Sequence, residues 1–80
     1  MNKNRLLWAC RRGMLELDLI LLPFVENVYD NLEENDKLRF QVLLECEDQN
    51  LFMWFMKRDE PTDSDMQRIV KLIRDSRSAV

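Results

Sequence analysis

Gly13 is the only glycine in this 80-residue chain, and Pro23 and Pro61 are its only prolines. Tight turns draw on these two residue types, so their scarcity favours helices over a β-sandwich or barrel. Gly13 takes positive φ at little steric cost. It reads as the C′ residue that ends a first helix, running from about Lys3 to Arg12 with Asn2 or Asn4 as cap. Arg11 and Arg12 then fall in the last turn of that helix, and Glu16 and Asp18 in the first turns of the next, each at the favourable end of a helix dipole. The stretch 8–18 is thus a tight helix–helix corner with charge on both sides: either a plain corner or a compact recognition surface. Leu6, Leu7 and Trp8 supply the apolar mass of the first helix. Trp8 is a core or anchor residue, and half exposed it would anchor an interface.

Composition narrows the function classes. Apolar residues make up 46% and charged residues 34%, which fits a folded protein and not a disordered one. Eighty residues predict a single domain over 1–80, near the size at which one core becomes marginal. A net charge of −3 and a pI near 4.9 argue against nucleic acid as a partner. Cys10 and Cys46 stand alone and there is no histidine, so the two thiols read as reduced and buried. Neither a zinc site nor a Ser-His or Cys-His nucleophile can be assembled, and no catalytic or metal-binding residue is expected. The N-terminus carries no signal-peptide pattern, and the longest apolar run, Leu19–Val25, is too short to span a bilayer. No direct membrane insertion is expected.

Residues 14–30 alternate like a strand over Leu15–Leu19. Yet Leu17, Ile20, Leu21, Phe24, Val25, Val28 and Tyr29 follow helical spacing, and no second strand is available to pair. The spacing predicts a central buried helix from Met14 to about Asp30, kinked at Pro23. A third helix is expected from Glu33–Asp36 to about Cys46, with Leu38, Phe40, Val42, Leu43 and Leu44 inside. A fourth runs from about Gln49 to Lys57 with Asp48 as N-cap. Its six successive apolar residues, Leu51–Met56, are core first and binding surface second, and Trp54 is read as core. After Pro61, Thr62–Asp65 resembles a capping box. Met66, Ile69, Val70 and Ile73 then mark a fifth amphipathic helix that ends near Arg74–Arg77 in a frayed tail. The expected fold is all-α, a compact single domain of five short helices.

The stretch Trp8-Ala9-Cys10-Arg11-Arg12-Gly13-Met14-Leu15-Glu16-Leu17-Asp18 resembles the Arg-Gly-x-x-Glu signature of the succinate dehydrogenase assembly factors, the SdhE-type flavinylation proteins. The likeness continues through Pro23-Phe24, Tyr29-Asp30 and Leu43-Leu44-Glu45, then Asp48, Leu51, Trp54 and the Pro61-Thr62-Asp63 start of the last helix. Glu33 stands where the family usually has a serine cap. The resemblance implies a helper that binds the apo flavoprotein subunit of succinate dehydrogenase or fumarate reductase and promotes covalent attachment of FAD. The flavin-linked histidine would be the client's, and the helper itself would hold no cofactor tightly. Carried over, Arg12, Gly13 and Glu16 are the signature contacts, with Trp8, Arg11 and Asp18 as neighbours. The absence of a presequence points to a bacterial, cytoplasmic member. A second function described in the family, as antitoxin to a small inner-membrane toxin, is the alternative.

Overall fold

The apolar periodicity of residues 15–27 decides the centre of the fold. The computed structural model describes residues 2–78. Among them are five α-helices and no strand: α1 (Lys3–Ala9), α2 (Leu15–Asn27), α3 (Glu34–Leu43), α4 (Asp48–Phe55) and α5 (Ser64–Ser78), with a 3-10 turn at Tyr29–Asn31 after α2. Leu17, Ile20, Leu21, Phe24 and Val25 are buried on α2, the i, i+3, i+4, i+7, i+8 set of one helical face. Helix α2 packs against α1, α4 and α5. The expected run to Asp30 is shorter by three residues, because the chain tightens into the 3-10 turn and buries Tyr29. Pro23 lies inside α2 on its exposed side and does not end the helix.

Met66, Ile69, Val70 and Ile73 of α5 are all buried, as their spacing predicts. Phe40 of α3 meets Phe24 at 5.2 Å and Tyr29 at 5.6 Å between ring centroids. The face assigned to α3 needs correction. Leu38 and Val42 are more than half exposed, whereas Asp36 is buried with Phe40, Leu43 and Leu44. That buried carboxylate accepts from Arg68 Nε at 2.8 Å and Nη2 at 3.1 Å, and from Arg39 Nη1 at 2.8 Å. It thereby ties α3 to α5, and these hydrogen bonds, Arg68's foremost, hold its carboxyl below the usual carboxylate range.

Other boundaries move for local reasons. Asn2 caps α1, its Oδ1 accepting from Arg5 N. Glu33 precedes α3 without a side-chain cap bond. Glu47, not Asp48, is the N-cap of α4. Asp63, not Thr62, caps α5 by accepting from Met66 N at 3.1 Å. Trp54 is only half-buried, as are Phe52, Met53 and Met56; Leu51 and Phe55 are the core residues of α4. The two thiols are free, but Cys46 is half-buried where full burial was expected. Helix α5 runs to Ser78, just past the expected end near Arg74–Arg77, and the rest of the expected frayed tail lies outside the described residues.

Helix α4 ends in a left-handed residue that is not a glycine. Lys57 has φ +60°. Its N–H reaches Trp54 O at 3.2 Å, and the N–H of Arg58 reaches Met53 O at 2.9 Å, the paired bonds of a Schellman ending. A left-handed L-residue costs roughly 1–2 kcal/mol, and glycine returns part of that as extra freedom of the unfolded chain. Lys57→Gly should therefore raise stability by about 0.5–1 kcal/mol in chemical denaturation. An unchanged or lowered midpoint would contradict this reading.

The pH dependence follows from Asp36. Its folded pKa is depressed, so the stabilisation is complete above the unfolded carboxylate pKa of about 3.9 and is lost as pH falls through the folded value. Asp36→Asn should lower the melting temperature at pH 7, by about 4–8 °C for each 1 kcal/mol lost. The gap to the wild type should close as pH drops below about 4. Melting curves from pH 7 to pH 3 test this, and a gap independent of pH would refute it.

Candidate functional site

The corner between α1 and α2 forms differently from a simple glycine-terminated helix. Helix α1 stops at Ala9, with Cys10 as its cap, and has no basic residue in its last turn. Arg11 and Arg12 therefore belong to the connection and not to the helix. Gly13 has φ +80°, so the left-handed conformation inferred for it is present, but three residues past the helix cap and not at C′. Met14, extended, precedes α2 without a side-chain cap bond. The corner is closed from the other side by Asp18, whose Oδ1 accepts from the backbone N–H of Arg12 at 3.0 Å.

Arg12 is the most heavily bonded side chain of the stretch. Its Nε donates to Asp48 Oδ1 at 2.8 Å, its Nη1 to Ala9 O at 3.2 Å and to Leu44 O, and its Nη2 to Cys46 O at 2.6 Å. Ala9 is the last residue of α1, Leu44 caps α3, and Asp48 opens α4. Carbonyls at helix C-termini have no intrahelical donor, and a cation there also complements the dipole. Burial pushes the Cys10 thiol up to about 11 and raises that of Cys46, with the Arg12 charge acting against both shifts. Such thiols are protonated and unreactive at neutral pH.

The other signature residues are exposed to solvent. Trp8 is 76% exposed. Arg11 and Glu16 are exposed, and among the described residues neither side chain has a hydrogen bond or ion pair. A Cβ built on Gly13 would meet nothing within 4 Å, so the space beside it is open. The six sequence-derived residues thus divide. Arg12 and Asp18 brace the corner from within, and Trp8, Arg11, Gly13 and Glu16 form its outer surface.

Beside that surface runs a groove of about 520 Å³ lined by Arg11, Gly13, Leu15, Leu19, Pro23 and Glu26, among others. Leu15 and Leu19 are 67% and 64% exposed. Neither was singled out from sequence as a site residue, although a signal existed. Leu15 and Leu19 are spaced i, i+4 off the Leu17–Leu21–Phe24 face, so one helix cannot bury both sets against one core. From sequence Asp48 is a helix cap and one of the residues that carry the family likeness, not a site residue. Its bond to Arg12, 36 residues away, has no counterpart in local pattern.

Comparison with known proteins finds a matching family and named relatives. Residues 4–77 match the family described as Sdh5, flavinator of succinate dehydrogenase. The chain is 58% identical over 72 residues to the FAD assembly factor SdhE of Pseudomonas aeruginosa, covering 90% of this chain and 86% of that protein. It is 51% identical over 78 residues to the FAD assembly factor SdhE of Yersinia pseudotuberculosis, covering 98% and 89%. Both relatives are named for FAD assembly, and their names give the antitoxin alternative no support.

Because a Cβ at Gly13 meets only open space, replacement by alanine tests the backbone alone. Gly13→Ala should cost about 1–2 kcal/mol, the penalty of left-handed φ for an L-residue. A larger loss on denaturation would mean that the corner is more crowded than its geometry shows.

Proposed function

The chain belongs to the family of succinate dehydrogenase flavinators, and from that premise we propose that it is an assembly factor for the flavoprotein subunit of that enzyme. It binds the apo subunit and promotes covalent attachment of FAD to it. The observation that carries this reading is the outer surface of the corner. Gly13 leaves room for a foreign backbone, Arg11 and Glu16 offer unengaged opposite charges, and Leu15 and Leu19 supply apolar area alongside. Close backbone approach, charge complementarity and exposed apolar side chains together are what a specific protein–protein contact requires.

The chain contributes binding and not chemistry. It contains no histidine, and its two thiols are held protonated by burial. Neither general-base nor nucleophilic catalysis is assigned to it. Binding one conformer of the client more tightly than the others raises that conformer's population, and this accelerates a reaction occurring within the client. FAD belongs to the client in this scheme, and the helper holds no cofactor tightly. The related flavoprotein of fumarate reductase is a second client, and the setting is the bacterial cytoplasm. Trp8, Arg11, Gly13 and Glu16 meet the client, and Arg12 and Asp18 stand behind them.

Deleting the protein in its host and measuring covalent flavin on the dehydrogenase subunit tests the activity, and undiminished flavin would sink it. Glu16→Gln tests the site. As an exposed carboxylate early in α2, Glu16 can add at most about 0.3–1 kcal/mol through the helix dipole, so the variant should melt almost normally. Lost from an interface that desolvates it, the charge should cost about 2–5 kcal/mol of binding, read as much reduced flavinylation. A lower melting temperature with normal flavinylation per folded molecule would make Glu16 a structural residue instead.

A further inference from the structure

We infer that Arg12 serves client binding without touching the client: paired with Asp48, it is a positioning residue that fixes the Gly13 corner against the turn between α3 and α4. The inference rests on the client-binding reading above and assigns a role to Asp48, which lies outside the signature stretch. Four of the five guanidinium N–H groups are engaged inside the molecule, on Ala9 O, Leu44 O, Cys46 O and Asp48 Oδ1. Arginine recognises a partner's carboxylate through two parallel N–H bonds. With one N–H uncommitted and a side chain only 15% exposed, Arg12 cannot present that fork without dismantling its own network.

What the network does hold is informative. The backbone N–H of Arg12 is fixed by Asp18 of α2, and its side chain by the ends of α1 and α3 and the start of α4. Gly13 is the next residue, so the placement of the open surface relative to α1 and α2 depends on where Arg12 is pulled. Among the described residues Asp48 is the only charged partner of the Arg12 side chain, and a charge-assisted bond is stronger than one to a neutral carbonyl. Removing the carboxylate slackens the corner while leaving the surface residues Trp8, Arg11, Gly13 and Glu16 chemically intact.

The test uses the full chain and Asp48→Asn, with Arg12→Lys and the double variant completing a cycle. Gly13 is the only glycine, so labelling with ¹⁵N-glycine gives a single amide signal that reports on the corner. Affinity for the purified apo flavoprotein subunit is measured well below the melting temperature of each variant, so that unfolding does not enter. Positioning requires that Asp48→Asn moves or broadens the Gly13 signal and weakens binding by about tenfold or more, the worth of one charge-assisted hydrogen bond. It also requires that adding Asp48→Asn to Arg12→Lys costs little further, and that Asp48→Glu restores part of the affinity. A moved signal with normal affinity overturns the inference, since the corner's geometry would not matter to the client. An unmoved signal with lost affinity also overturns it, since Asp48 would then act at the client directly. Should Arg12→Lys fail to fold, the Asp48→Asn and Asp48→Glu pair decides alone. If the wild type does not bind the apo subunit, the client-binding reading fails and takes this inference with it. Binding by wild type and Asp48→Asn alike defeats only the inference.

Discussion

One guanidinium ties three helix ends together. Arg12 donates to the terminal carbonyls of α1 and α3 and to the first carboxylate of α4, and Asp18 of α2 holds its backbone. Unpaired carbonyls at a buried helix end carry a desolvation cost comparable to a lost hydrogen bond. Here one residue removes several such costs at once. It also fixes the relative placement of four helices that are too short to be stable alone, α1 having seven residues and α4 eight. The core of α2 and α5 would still bury its apolar faces without Arg12. The corner, however, would have no defined position against the α3–α4 turn.

The same device recurs elsewhere in the fold. Arg74 of α5 donates through Nε to Trp54 O at the end of α4 at 2.8 Å and through Nη1 to Glu60 at 2.9 Å. Arg68 and Arg39 converge on buried Asp36. Side-chain N-caps, by contrast, are formed only by Asn2 on α1 and Asp63 on α5, while α2, α3 and α4 have none. Arginines from distant parts of the chain therefore add to the local backbone bonds that close the ends of α3 and α4. A domain of this size has little core to spare. Long-range polar ties of this kind convert separate short helices into one cooperative unit.

That choice also explains which features could be read from the sequence. The buried sets of α2 and α5 follow from apolar periodicity, and five helices with no strand among the described residues follow from the dearth of glycine and proline. The inner face of α3 is not legible in the sequence, because its apolar residues occupy two faces and because a carboxylate, Asp36, takes a core position. Hydropathy cannot assign a charge to a core until its two arginines are placed. Six successive apolar residues make Trp54 read as core, but the helix geometry buries only Leu51 and Phe55 deeply. The left-handed residue that ends a helix proved to be Lys57, which no local signal marks, while Gly13 serves the connection instead. Within the signature stretch, residue types and the corner itself were legible. The division into bracing and outward residues was not, because it depends on carbonyls at positions 44 and 46.

On the client-binding reading proposed above, the division has a functional logic. A surface that must recognise another protein needs charges that are not already spent, and Arg11 and Glu16 are in that condition, whereas Arg12 and Asp18 are not. It also needs to hold its shape before binding, since ordering a loose corner at the moment of contact would subtract from affinity. Glycine at the apex works against that requirement by widening the range of accessible backbone conformations. The bonds to Arg12 on one side of Gly13 and the start of α2 on the other restore the lost definition without filling the space that the missing side chain leaves open. A larger residue at position 13 would stiffen the backbone and occupy the approach path together. Glycine held between rigid neighbours is the arrangement that keeps both the fixed geometry and the open surface.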